Sequence, residues 1–360
     1  MQFPQRIAFT ALSLALLLHQ GSSFAGEFAE ILDTPAVHSE LAINNQLVDV
    51  VQVDKRLIAV GQRGHIVYSD DIGITWQQAS VPLSADLLAV SFPTAKDGWA
   101  VGHSGVVLHS SDAGATWTKQ LDGREIGQVL LDHYTKLAAA QPDNQQLLTL
   151  LDEAKRMQDE GEDSSFLDVW FASDKVGYIV GTFNLILRTE DGGNSWTPIL
   201  ESTENPQGFH LNAINKVGDE VFIVGEQGLV LRLDKGTQRF VSAATAYTGT
   251  FFGMTGRTDL VLVYGLRGNV YRSTDAGAIW TKVETGLPVS IVAASANSSG
   301  SIYLLSQAGH VLVSNDDGLT FTLRPQEPLA SVAGVTATTD NQLVVVGNRG
   351  VRQFPVPASH

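Results

Sequence analysis

The sequence predicts an all-β protein, a seven-bladed β-propeller, and two observations carry that prediction. A tight glycine turn recurs along the chain, with its second glycine position falling at Gly64, Gly105, Asn184, Gly228, Gly268, Gly309 and Gly350. The successive spacings are 41, 79, 44, 40, 41 and 41 residues, and a fixed period of this length marks an array of one supersecondary unit. In five of the units the turn is followed by Ser/Thr-x-Asp-x-Gly-x-Thr/Ser-Trp or a near copy of it. Each unit then has room for four short strands, the content of one propeller blade. The single doubled spacing holds no turn of this type, so an insertion accounts for it.

Every blade divides in the same way. In the second, residues 87–92 form the inner strand, 99–102 the next, 106–110 the third and 117–121 the outermost. The glycine turn joins strands two and three, because glycine enters left-handed backbone freely. The Asp-containing segment joins strands three and four. Its Asp and Ser can bond turn amides, its Gly allows positive φ, and its Trp packs the turn onto the blade. This segment matches the Asp box of BNR repeats. It is intact around Asp71 and Trp76, Asp112 and Trp117, and Asp191 and Trp196. It is nearly intact around Asp275 and Trp280, where Ile279 departs, and around Asp316, where Phe321 replaces the Trp. The fourth blade keeps only the spacing, at Lys235, Thr237 and Phe240, and the seventh stops at Phe354 before any such turn. These aspartates are read as structural, since an active site would not be copied five times.

Residues 1–25 have the form of an export signal. Arg6 precedes an apolar run at 7–18, and Ser23-Phe24-Ala25 offers a small-x-small site with cleavage after Ala25. The run is too short to span a bilayer, which points to a periplasmic protein. No cysteine occurs, so neither a lipid anchor on cysteine nor a disulfide is available; the 44% hydrophobic content must supply the stability. Residues 26–46 belong to no unit, while the seventh unit lacks a fourth strand. The expectation is that 28–32, or else 39–43, supplies that strand and closes the ring, removing two open sheet edges. The propeller proper is then 47–360.

The insertion lies at 121–165, between blades two and three. Asp122-x-x-Glu125 reads as a capping box, followed by Ile126, Val129, Leu130, Tyr134 and Leu137 on one helical face. After Pro142, Asp143-x-x-Gln146 opens a second helix with Leu147, Leu150, Leu151, Ala154 and Met157 along one stripe, and Gly161 stops it. Such a hairpin is either a lid packed on the nearest blade or a docking element.

Up-and-down strand order puts this insertion on the same propeller face as the glycine turns. On that face the residue before the second glycine is Arg63, Arg267 and Arg349 in blades one, five and seven, and Ser104, Phe183, Gln227 and Ala308 elsewhere. These arginines are the candidate partner-binding residues, suited to a carboxylate or an acidic loop. A net charge of −15 disfavours nucleic acid as partner. His65, His103, His109 and His310 have no spacing that gathers a metal site, no nucleophile or phosphate-loop motif occurs, and no cofactor is expected.

The repeats, together with Ser91-Phe92-Pro93 and residues 97–102, resemble the photosystem II stability/assembly factor family of BNR-type propellers and its non-photosynthetic bacterial relatives. The resemblance covers most of 47–354. It implies a non-enzymatic scaffold that binds a membrane-protein intermediate and assists its assembly, partly through arginines, for which Arg63, Arg267 and Arg349 are the matching positions. Bacterial relatives accompany transporters, so the partner implied is a membrane-associated complex or a transporter, with membrane contact only through it. Two departures stand out: the family's lipid-bearing cysteine is missing, and the helical insertion looks foreign to a plain propeller. The alternative is a BNR-type glycoside hydrolase or carbohydrate-binding propeller. Hydrolysis needs two positioned carboxylates, and the inner strands offer Asp49 and Asp168 at the start of two of them.

Overall fold

The structure, a computed structural model, describes residues 30–160, 164–325, 329 and 331–356. The expected export signal and Gly161 lie outside them. The described chain forms seven antiparallel sheets, six of four strands and one of three, each in simple sequence order. Blade one is Leu47–Val53, Arg56–Gly61, Ile66–Ser69 and Gln77–Gln78; blade two is Leu87–Ser91, Gly98–Gly102, Val107–Ser110 and Thr118–Leu121. The inner strands pack in cyclic order, and that of blade seven, Val332–Ala337, returns against that of blade one. This is a seven-bladed propeller.

Its core is divided among the seven blade interfaces rather than gathered at one centre. Strand two of each blade is covered on both faces, so it reads as an unbroken apolar run, as in Leu57–Val60 and Trp99–Val101, all fully buried. Between blades two and three the Trp99 ring stacks on Phe171, centroids 3.7 Å apart and 10° from parallel. Each inner strand begins with a register shift against strand two, as between Leu47 and Asp49 or Leu87 and Ala89. At Gly102 the chain comes so close that an added Cβ would lie 2.0 Å from the Asp86 carbonyl oxygen. Only glycine fits there.

The insertion is two helices, α1 (Gly123–Ala140) and α2 (Gln145–Glu160). The capping box is present: Asp122 accepts from the Arg124 amide at 3.0 Å, and Glu125 accepts from the Asp122 amide at 3.2 Å. The second helix starts later than expected. Asn144, not Asp143, supplies the side-chain acceptor, taking the Leu147 amide at 3.3 Å.

Residues 28 and 29 lie outside the described residues, and among those described no strand closes the ring. Blade seven has three strands, ending at Gly350–Pro355, and residues 30–46 contain none among those described. Their backbone is bonded elsewhere. The Ala36 amide donates to the Val81 carbonyl (3.1 Å), the Ser84 amide donates to that of Ile31 (2.8 Å), and the Gln78 carboxamide accepts from the Ser39 amide and donates to the Val37 carbonyl. Residues 31–39 therefore lie along blades one and two, while Ala42–Asn44 packs against the start of the last strand of blade seven. Ring closure falls to packing between the first and last blades, backed by Gln52 paired with Thr339 and by Gln353 donating to the Ile72 carbonyl at 3.0 Å.

Candidate partner-binding face

In blades one to five the glycine turn between strands two and three is one 3-10 turn, whereas blades six and seven make a plain turn there. In blades one to five its middle residue holds left-handed backbone: Arg63 (φ 56°), Ser104 (55°), Phe183 (52°), Gln227 (53°) and Arg267 (56°). Arg349 and Ala308 are not left-handed, so the arginines at equivalent sequence positions do not share one backbone geometry. The residue that starts the next blade stabilises the turn. Asp86 accepts from the Arg63 amide at 2.8 Å and Ser290 from the Arg267 amide at 3.3 Å. In blade three the corresponding residue is His210, whose ring meets the Phe183 ring edge-on at 4.7 Å.

The side chains of Arg63, Arg267 and Arg349 are exposed and make no hydrogen bond or ion pair among the described residues. Several other arginines are engaged, Arg56 with Asp70, Arg124 with Asp33 and Asp122, Arg188 with Glu190 and Arg257 with Asp317, although the exposed Arg352 is as unengaged as the turn arginines. The turn arginines are thus charges available to something outside the chain.

The insertion occupies the same face, as strand order requires. An added Cβ on Gly105, in the blade-two turn, would lie 2.4 Å from Ile126 and 2.9 Å from Gly123. Ile126, Leu130 and Tyr134 are fully buried in the cluster shared by blades two and three, with Leu147 and Ala154 of α2. The Tyr134 hydroxyl donates to Glu201 (2.9 Å) and accepts from the Leu200 amide (3.1 Å), tying α1 to the loop after blade three. At its base, burial would raise the Asp122 pKa, but hydrogen bonds from Arg124 and Lys119 outweigh that and hold the carboxyl at about 2. Of the two expected roles for the hairpin, lid packing is plainly present.

The Asp boxes lie on the opposite face and are self-contained. Asp71 accepts from the Thr75 hydroxyl (2.6 Å) and amide (2.8 Å) and from Ser69 (2.7 Å); these bonds hold its pKa down at about 2. Asp112, Asp191 and Asp316 repeat all three bonds, while Asp275, facing Ile279, lacks the hydroxyl. Trp76 and Trp117 donate to the carbonyls of their own box glycines, Gly73 and Gly114, whereas Trp280 reaches Ala243; Trp196 is buried against Phe171. Blade four has its own turn, in which Asp234 accepts from the Gly236 and Thr237 amides.

Sequence reading missed the role of the inner-strand acids. Each sits at the register shift and spans two blades. Asp49 takes the Val50 and Val90 amides, and Asp168 the Val169 and Ile214 amides, at 2.8–3.0 Å. Enclosure by protein raises both pKa values, that of Asp168 to about 8, with the Asp49 charge adding to the effect and the amide bonds opposing it. The available signal was an acid where the other blades carry Ala89, Ala213, Gly253, Ala293 or Gly334.

Fold and turn chemistry together define a seven-bladed propeller whose strand-three turns are structural Asp boxes and whose opposite face carries free arginines beside a helical hairpin. A family model described as "Photosynthesis system II assembly factor YCF48" matches residues 31–141 and 150–283, roughly two thirds of the chain, and the chain belongs to that family. The match covers α1 and resumes within α2, breaking between them at 142–149. Among curated proteins the chain is 27% identical over 158 residues to the photosystem II assembly lipoprotein Ycf48 of Synechococcus sp. (strain CC9902), covering 43% of this chain and 47% of that one. It is 33% identical over 69 residues to the chloroplastic photosystem II stability/assembly factor HCF136 of Arabidopsis thaliana, 18% of this chain and 17% of that one. The chain thus spans about half the length of the first relative and less of the second. Similar solved structures include one titled "YCF48 bound to D1 peptide" (TM-score 0.63, 17% identity, 90% of this chain and 99% of that one). The WD40 propeller of Doa1 is another (TM-score 0.61, 10% identity, 91% and 97%). At these identities the likeness shows the fold alone.

Proposed function

We propose that this chain is a non-enzymatic, exported scaffold that binds a segment of a membrane-protein complex on the glycine-turn face and assists its assembly or stability. The observation that carries the reading is the set of exposed, unengaged guanidinium groups at Arg63, Arg267 and Arg349 on the face that also bears the hairpin. Family membership supports it, as does the D1 peptide named with one structural relative. Within this reading the partner is a photosystem-type complex or a transporter, membrane contact is through that partner, and residues 1–25 direct the chain to the periplasm. No observation favours a glycoside hydrolase: Asp49 and Asp168 spend their oxygens on backbone amides of two blades.

Arg63→Glu combined with Arg349→Glu should leave folding unchanged, since both side chains are exposed. It should lower recovery of the partner complex from the protein's own envelope by crosslinking, and wild-type recovery should itself weaken with salt, as exposed charge pairs are screened. Undiminished recovery by this double variant would move the binding surface away from the arginines.

A further inference from the structure

Beside the hairpin lies a groove of ≈ 850 Å³, open to the turn face, between α2, the blade-three turn and the loop at 200–208 that leads to blade four. Its walls are apolar: Leu130, Leu150, Met157 and Leu185. Its floor is polar but internally satisfied. The buried Asn184 carboxamide accepts from Thr203 (3.0 Å) and Asn205 (2.9 Å), and Asn205 closes on the Phe209 backbone. An apolar occupant would therefore leave the Asn184 and Asn205 carboxamides paired. At the mouth stands Phe183, 73% exposed and in left-handed backbone, where a residue other than glycine carries roughly 1 kcal/mol of strain. The turn needs that backbone, while the phenyl ring, apart from its edge-on contact with His210, stands in solvent.

The rim is acidic. Glu153 and Glu204 are exposed on opposite sides, Glu204 held in place by the Ser242 amide at 2.7 Å, while Arg156 on the same lining already has a partner within the chain. The volume lies within the roughly 300–1,000 Å³ typical of clefts that enclose a ligand, room for several consecutive side chains. We propose that this groove receives an extended, apolar segment of a partner polypeptide flanked by Lys or Arg, with Phe183 as the aromatic anchor. The inference rests on the scaffold reading above and adds a second, chemically opposite contact to the arginines.

The probe is a fluorescein-labelled peptide alternating Leu and Phe with Ser, with Lys at both ends, titrated into the full-length protein by anisotropy. A Glu-ended version and laurate serve as the other arms. The Lys-ended peptide should bind the wild type, and Phe183→Gly should weaken it by about ten-fold or more, the loss of one interface anchor. The same variant should melt close to wild type, because glycine relieves the left-handed strain and the exposed ring gives up only its contact with His210. Glu153→Lys should weaken the Lys-ended peptide and strengthen the Glu-ended one. Arg63→Glu with Arg349→Glu should leave peptide binding unchanged, so failure of the groove and failure of the arginine face are read separately. The proposal is overturned if the Lys-ended peptide does not bind, or binds both groove variants as it binds wild type. It is equally overturned if laurate displaces the peptide, which would make the groove an acyl-chain site. Concentration-dependent self-association abolished by Phe183→Gly would overturn it too, in favour of a second copy of the chain.

Discussion

Ser110 shows what an Asp box is for. Its hydroxyl donates to Asp112 at 2.8 Å and accepts from the buried Gly114 amide at 2.9 Å, so one side chain satisfies a donor no water can reach. Ser110→Ala would strand that amide, and should cost about 1–3 kcal/mol in chemical denaturation, the desolvation penalty of an unpaired buried donor. The carboxyls of the molecule respond to pH in opposite senses. Those of Asp71 and Asp316 are held down at about 2, so their contribution is present above the ordinary carboxylate pKa and lost as pH falls from about 4 toward 2. Asp168, raised to about 8, behaves in reverse: its contribution is complete below about pH 4 and declines as pH rises toward 8. Asp168→Asn should therefore flatten the decline in denaturation midpoint between about pH 4 and 8. Its baseline will be lower, because a carboxamide cannot accept from both the Val169 and Ile214 amides. An unchanged slope would mean that Asp168 is ionised throughout.

Among the elements, the hairpin carries the sharpest consequence. Tyr134 is fully buried, and its hydroxyl is the hydrogen bond from α1 to the loop after blade three. Tyr134→Phe keeps the ring packing but leaves the Leu200 amide and Glu201 without that partner, which should lower stability by about 1–2 kcal/mol. Amide exchange should rise in α1 and residues 200–203 and stay unchanged in blade five; a uniform rise would place the loss in global stability instead. The helices themselves were legible, because a capping box and a 3.6-residue stripe are local signals. The start of α2 was not, since Asp143 and Asn144 are adjacent and equally able to cap; the observed helix uses Asn144. Nor could the stripes show whether they cover each other or the propeller. Ile126 and Leu130 do so by sharing a cluster with Trp99 and Phe171, residues distant in sequence. The same limit hid the groove, whose walls come from three separate segments, and the paired role of Asp49 and Asp168, whose second amides, of Val90 and Ile214, are about 40 residues or more away.

At the scale of the ring, the repeat gave the blade number directly, because period and turn chemistry are written in every unit. Closure was another matter. An incomplete last unit beside a spare apolar stretch suggests a borrowed strand, yet what places residues 31–39 is a contact no local pattern encodes: the Gln78 carboxamide holding both Ser39 and Val37. Among the described residues, edge-strand hydrogen bonds are therefore left open on Gly350–Pro355, and the interface of blades seven and one holds by packing of Val344, Val346, Leu57 and Ala59, with Ala42 from the N-terminal segment. This arrangement has a test that distinguishes it from strand donation. Deleting residues 30–41 removes the partners of Val81, Ser84 and Gln78 and of Arg124 through Asp33, all on blades one and two or the base of α1. Hydrogen exchange should then accelerate at residues 78–84 and 122–126, while 350–355 exchanges as in the intact protein, because no hydrogen bond there is lost. Faster exchange confined to 350–355, with 78–84 unaffected, would show that the segment seals the last blade after all.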